Sequence, residues 1–186
     1  KTCTKSPTAS IKYYIVFTII GSNISKKIRP LVKMAEKRQR MEVLIDNQQS
    51  SYGMPLKKIR RTVEVILGAL DCPDGEISIL IVDDPQIEKL NRKYLNRTGP
   101  TNVIAFSMRE GEFSNLSPQL LGDVVISTDR AAKEAQNSGM SMEQRFSELL
   151  VHGILHLFGY DHENSEQMAQ EMEKKSRELL DIIRDV

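Results

Sequence analysis

The chain has 186 residues, 40% of them hydrophobic and 27% charged, with no Trp. That length holds one full hydrophobic core and is short for two, and the composition excludes a fibrous or disordered chain. The formal net charge of +1 hides an asymmetry: residues 1–40 carry ten Lys or Arg against one acid, Glu36, whereas residues 41–186 carry sixteen against twenty-four Asp or Glu. A strongly negative domain excludes a broad basic footprint for nucleic acid, because neutralising phosphates takes clustered Lys and Arg. Any such contact is local. Lys57, Lys58, Arg60 and Arg61 form one basic cluster and Arg92, Lys93 and Arg97 another, each equally readable as a solvated helix face. Cys3 and Cys72 are the only cysteines, which leaves no disulfide framework or cysteine metal site and fits a reducing cytoplasm. The most apolar stretch, Ile11 to Ile20, spans ten residues, about half of the ~20 that a membrane span requires.

Residues 1–40 begin at Lys1, are rich in Ser, Thr and Lys, and lack the small-residue cleavage site of a signal peptide. They read as a leader outside the fold, either a misassigned upstream segment or an organellar transit peptide. Core-like patterning starts at Met41, where Met-Glu-Val-Leu-Ile-Asp predicts a first strand and opens a domain over 41–186. Ile59, Val63, Ile66, Leu67 and Leu70 recur at helical spacing after Pro55, which suits a first turn. Glu76 to Val82 is β-branched and nearly continuous, the pattern of a strand buried on both faces. Asp83 or Asp84 then caps a helix that starts with Pro85 and ends near Asn96. Val103–Phe106 and Asp123–Ile126 are short strands that can pair as an antiparallel hairpin across a polar loop containing Gly111 and Pro118. Thr128 is the expected cap of a helix stopped by Gly139. Ser141 with Gln144 resembles a capping box for a helix running to Phe158, ended by Gly159. A last helix, Ser165 to Ile183, carries Met168, Met172, Leu179 and Ile183 on one face. The order β-α-β-α-β-β-α-α-α predicts an α+β single domain, a small mixed four-stranded sheet packed with about five helices.

All three histidines fall within eleven residues, His152-Gly-Ile-Leu-His156-Leu-Phe-Gly159-Tyr-Asp-His162. On a helix, His152 and His156 project from one face a turn apart. Gly159 lets the chain turn back and bring His162 round as a third nitrogen, leaving a fourth tetrahedral position for water. Three neutral imidazoles with one open position suit Zn²⁺, with nickel or another divalent ion as alternatives. The same spacing occurs in a large group of zinc proteases in which Glu follows the first His and acts as base. Here that position is Gly153, so peptide hydrolysis lacks its base, and a zinc that activates water or polarises a phosphoryl oxygen points to phosphodiesters.

The run from His152 to His162 resembles the signature of the bacterial YbeY endoribonucleases, also called rRNA maturation factors. Further matches are Leu90-Asn91 with Tyr94, Pro100-Thr101-Asn102-Val103-Ile104 with Phe106, and Leu121-Gly122-Asp123 with Ile126-Ser127. The resemblance implies a single-strand-specific endoribonuclease with one Zn²⁺ per chain held by His152, His156 and His162. It implies action in small-subunit rRNA maturation and ribosome quality control in the cytoplasm, with RNA and small-ribosomal-subunit components as partners and neither DNA nor membrane. Where the family commonly has an Arg after the matching Tyr, this chain has Leu95. Arg97, two residues on, is the candidate phosphate-binding guanidinium. Asp161 is a candidate for orienting a ligand histidine, or it shapes the turn. Those two are the catalytic candidates beside the water that zinc would activate. Glu148, one turn before His152, reads as an exposed helix glutamate or a proton acceptor. Tyr160 is expected to anchor the turn, and Met140, Met142, Met168 and Met172 to fill the core. Asn91, Thr101 and Asn102 are substrate-loop residues by resemblance. The alternative function is a ribosome-assembly factor with a structural zinc and little nuclease activity.

Overall fold

A computed structural model describes residues 42–109, 119–162 and 165–186. The leader read at residues 1–40, and the polar loop around Gly111 and Pro118, lie outside them. Within the described residues the elements are β1 (Glu42–Asn47), α1 (Leu56–Ala69), β2 (Glu76–Val82), α2 (Asp84–Leu95), β3 (Val103–Ser107), β4 (Leu120–Ser127), α3 (Thr128–Ser138), α4 (Met142–Leu157) and α5 (Glu166–Ile183). The element order and the α+β class are those expected from the sequence.

The strands order as β1-β2-β4-β3; β1, β2 and β4 run parallel and β3 is antiparallel to β4. Successive residues of a strand face opposite sides of a sheet, and the two faces are covered unequally. Ile77, Ile79 and Ile81 of β2 join the main core with α1, α4 and α5, whereas Val82 joins Ile87 of α2, Ile104 and Val125 in a small second core. Both faces of β2 are therefore covered, as its β-branched run requires. At β1, an edge strand, Leu44 is left 58% exposed. The main layer against the sheet is thus α1, α4 and α5, and α2 stands on the other side.

β4 is longer than the sequence suggests, and it carries a bulge. The register passes from Glu76↔Leu120 to Ile77↔Gly122, leaving Leu121 unpaired. The extra residue turns Leu121 and Val124 into the same core, three positions apart where strict alternation would separate them. Gly122 sits at φ 131°, and a Cβ there would collide with the Phe106 carbonyl. Only glycine fits that combination.

The caps follow the sequence with one correction. Asp83 closes a capping box with Gln86 at α2, and Ser141 with Gln144 at α4. At α3 the cap is Ser127, whose Oγ accepts the Arg130 N–H at 3.2 Å. Thr128 instead donates its hydroxyl to the Val82 carbonyl. Two adjacent hydroxyl residues offered the same signal, and the one whose backbone is still extended took the role. Met172, Leu179 and Ile183 of α5 are buried, while Met168 is only partly so.

Candidate metal centre

α4 carries the first two histidines and is buried along most of its circumference: Phe146, Leu149, Leu150, Val151, Gly153, Ile154, Leu155 and Leu157 are all buried. A narrow stripe remains for polar groups, and it holds Arg145, Glu148, His152 and His156, spaced to lie over one another. Gly153 is the point of closest approach to the sheet. A Cβ built there would lie 2.5 Å from Val124 Cγ1 and 3.1 Å from Val103 Cγ2. The position after the first histidine thus faces β3 and β4, away from the histidine stripe, and no side chain fits it.

The helix ends in a Schellman turn. Gly159 at φ 79° donates its N–H to the His156 carbonyl at 2.9 Å, and Tyr160 N–H reaches the Leu155 carbonyl at 3.1 Å. Tyr160 packs against the main core and anchors the turn. The reversed chain then returns His162 to the stripe. His152 and His156 Nε2 are 3.0 Å apart, and one ligand nitrogen from each of the three rings lies within 4.8 Å of the others. A tetrahedral ion with bonds of 2.0–2.1 Å sets its ligand nitrogens about 3.3 Å apart. The donor set, its spacing and the half-buried setting of His152 and His156 fit a divalent metal.

The electrostatics favour metal over protons. Burial, then the neighbouring His156, His162 and Arg145, lower the His152 pKa from 6.5 to about 4. An unfolded chain takes up that proton below about pH 6.5, whereas the folded one refuses it until about pH 4. The metal-free protein accordingly keeps this contribution to stability above pH 6.5 and loses it progressively as pH falls to 4. Solvent screening at the half-exposed ring reduces the contribution to about 1–2 kcal/mol. Melting of chelator-treated protein at pH 7 and pH 4.5 should show a larger fall than a His152→Gln variant shows. Equal falls would contradict the assignment.

Beside His152 stands a network built on Arg145 and Glu134, neither of them singled out from the sequence. Arg145 Nε contacts Glu134 of α3 at 2.8 Å and Nη1 contacts Glu148 at 2.6 Å, while Asn102 Nδ2 donates to Glu134 at 3.1 Å. Burial opposes the Arg145 charge, but hydrogen bonds to Glu148 and Glu134 outweigh it and raise its pKa. Glu148 is therefore a half-buried ion-pair partner and not the exposed glutamate expected. The available signal was the seven-residue spacing from Arg145 to His152, nearly two helical turns.

The remaining candidates scatter. Leu95 ends α2 at 41% exposure, and Arg97 is exposed just beyond it, following the helix on the opposite sheet face from α4. Asp161 is half-buried between Tyr160 and His162. Asn91 is buried, donating to the Gly99 carbonyl at 2.8 Å, and its Oδ1 has no partner among the described residues. Asn102 accepts the Val103 N–H and donates to Glu134. Asn91 holds the segment that bears Arg97 at Gly99, and Asn102 ties the end of that segment to Glu134 of α3.

Comparison with known proteins gives one answer. The family model described as Endoribonuclease YbeY matches residues 44–184. A protein of Syntrophus aciditrophicus named Endoribonuclease YbeY is 44% identical over 82% of this chain and 96% of its own length. One of Geobacter metallireducens with the same name is 49% identical over 77% and 96%. The solution structure of a Thermotoga maritima protein shares the fold, with a TM-score of 0.57 and 23% identity over 76% of this chain and 88% of that one. With this match over most of its length, the chain belongs to the Endoribonuclease YbeY family.

Proposed function

We propose that His152, His156 and His162 hold one Zn²⁺ and that the chain, through its domain at 41–186, cuts single-stranded RNA internally. The cytoplasmic maturation of small-subunit rRNA and ribosome quality control are the setting of that activity, with small-subunit components as partners. Family membership makes RNA the substrate class, and the carrying observation is the three imidazole nitrogens gathered within 4.8 Å. Bound there, zinc supplies a Lewis acid for a phosphoryl oxygen and lowers the pKa of water toward neutrality. The chain's own contributions are positional. The lowered pKa of His152 keeps its lone pair available at neutral pH. The contact of Gly153 with β3 and β4 excludes the carboxylate that a peptidase would need. Arg97 is a candidate to hold substrate phosphate, and Asp161 to orient a ligand ring. Among the described residues no helix is long and apolar enough to cross a membrane.

Metal-loaded protein incubated with single-stranded and duplex RNA of one sequence tests this. Internal cuts in the single strand, about tenfold fewer in the duplex, and none with His152→Ala are expected. Absence of cutting above the His152→Ala control contradicts it. That result would favour the second reading, an assembly factor with a structural zinc, for which exposed Leu95 in place of the family's common Arg speaks.

A further inference from the structure

We infer that Arg145 contacts an RNA phosphate next to the metal centre, its guanidinium set for that contact by Glu134 and Glu148. The inference rests on the endoribonuclease reading and adds the residue that holds the strand. Arg145 is the only Lys or Arg of α4. Seven residues before His152, it stands on the same stripe, about 10 Å away along the axis at 1.5 Å per residue. Its Nη1 pairs at 2.6 Å with Glu148, which lies between the two on that stripe.

The guanidinium is fixed. Nε and Nη1 are taken by Glu134 and Glu148, and Glu134 is itself held by Asn102. Among the described residues Nη2 has no partner, and the side chain is 26% exposed. With Nε and Nη1 held on opposite sides of the planar guanidinium, the two N–H groups of Nη2 are left as preorganised donors for phosphate oxygens. The two carboxylates outweigh the single positive charge, so the cluster does not attract RNA from a distance. A phosphate reaches Arg145 as part of a strand already engaged at the metal. The ~10 Å offset makes it a flanking phosphate and leaves the scissile one to the histidine site.

The test is the affinity of the zinc-loaded full chain for a 2′-O-methylated single-stranded RNA across a series of salt concentrations. Removing one phosphate-binding cation lowers the log–log salt slope by about 0.7 for a single strand. Arg145→Met is expected to weaken binding about tenfold, at a point contact's usual scale, and to lower the slope by that amount, with one zinc per chain retained. Arg145→Lys should keep the slope while binding more weakly, because an ammonium keeps the charge but not the fork. Should Arg145→Met fail to fold, Arg145→Lys decides: weaker binding at unchanged slope supports the contact, and wild-type affinity overturns it. An unchanged slope in Arg145→Met, or loss of its zinc, also overturns it, since a purely structural Arg145 would give one or the other. If the wild type cuts single-stranded RNA and Arg145→Met keeps its slope, this inference fails alone. If the wild type neither binds nor cuts single strands, the endoribonuclease reading falls with it.

Discussion

Gly153→Ala is expected to destabilise the fold by about 1–3 kcal/mol, the usual range for overpacking a tight interface, and Gly153→Glu to abolish native packing of α4. Neither is expected to create a peptidase. The reason is the 2.5 Å approach of a Cβ to Val124 Cγ1 and 3.1 Å to Val103 Cγ2. Both neighbours are β-branched with little rotamer freedom, so relief requires moving α4 off the sheet. Glutamate would add an unpaired buried charge to the same clash. For a chain of this size 1 kcal/mol shifts Tm by about 2–4 °C, so thermal unfolding resolves the effect. A Gly153→Ala melt within a degree of wild type would show that the contact has slack. Because Gly153 adjoins His152, the variant should also hold metal more weakly than its stability alone explains.

His152→Ala is expected to lower RNA cleavage by more than a hundredfold while changing the metal-free Tm little. Losing a group that merely supports a metal ligand commonly costs 10–100-fold in metal affinity or activity, and loss of a ligand exceeds that. His152 is half-buried, at the rim of the core and not within it, so removal of its ring leaves no deep cavity. A zinc whose role was structural would reverse the balance, with the melt of the metal-loaded protein falling steeply and cleavage never present. Cleavage and melting measured on one preparation separate the two. Activity within tenfold of wild type would remove His152 from the site.

Much of the fold and of the candidate metal centre was legible in the sequence because periodicity and caps are local. The cap at Asp83, the capping box at Ser141, the glycine stops at Gly139 and Gly159, and the apolar period of α1 each depend on residues a few positions apart. The histidine triad belongs to the same class, two ligands a turn apart and the third one tight turn later. What stayed hidden is non-local. The bulge at Leu121 shows only against β2. The clamp on Arg145 joins α3 and the segment before β3 to α4, residues 11 and 43 positions from it. Gly153 was legible as an absent base, but its steric cause lies in Val103 and Val124, brought under α4 by the sheet. The bonds from Asn91 to the Gly99 carbonyl and from Asn102 to Glu134 likewise depend on the folded chain.

Metal content of the purified full chain, by elemental analysis of the wild type and of the three single variants His152→Ala, His156→Ala and His162→Ala, bears most directly on the centre. One zinc per wild-type chain and far less than one in each variant are expected, because a site of three nitrogens cannot lose one and keep its grip. Full metal occupancy in any of the three variants would contradict the three-histidine centre.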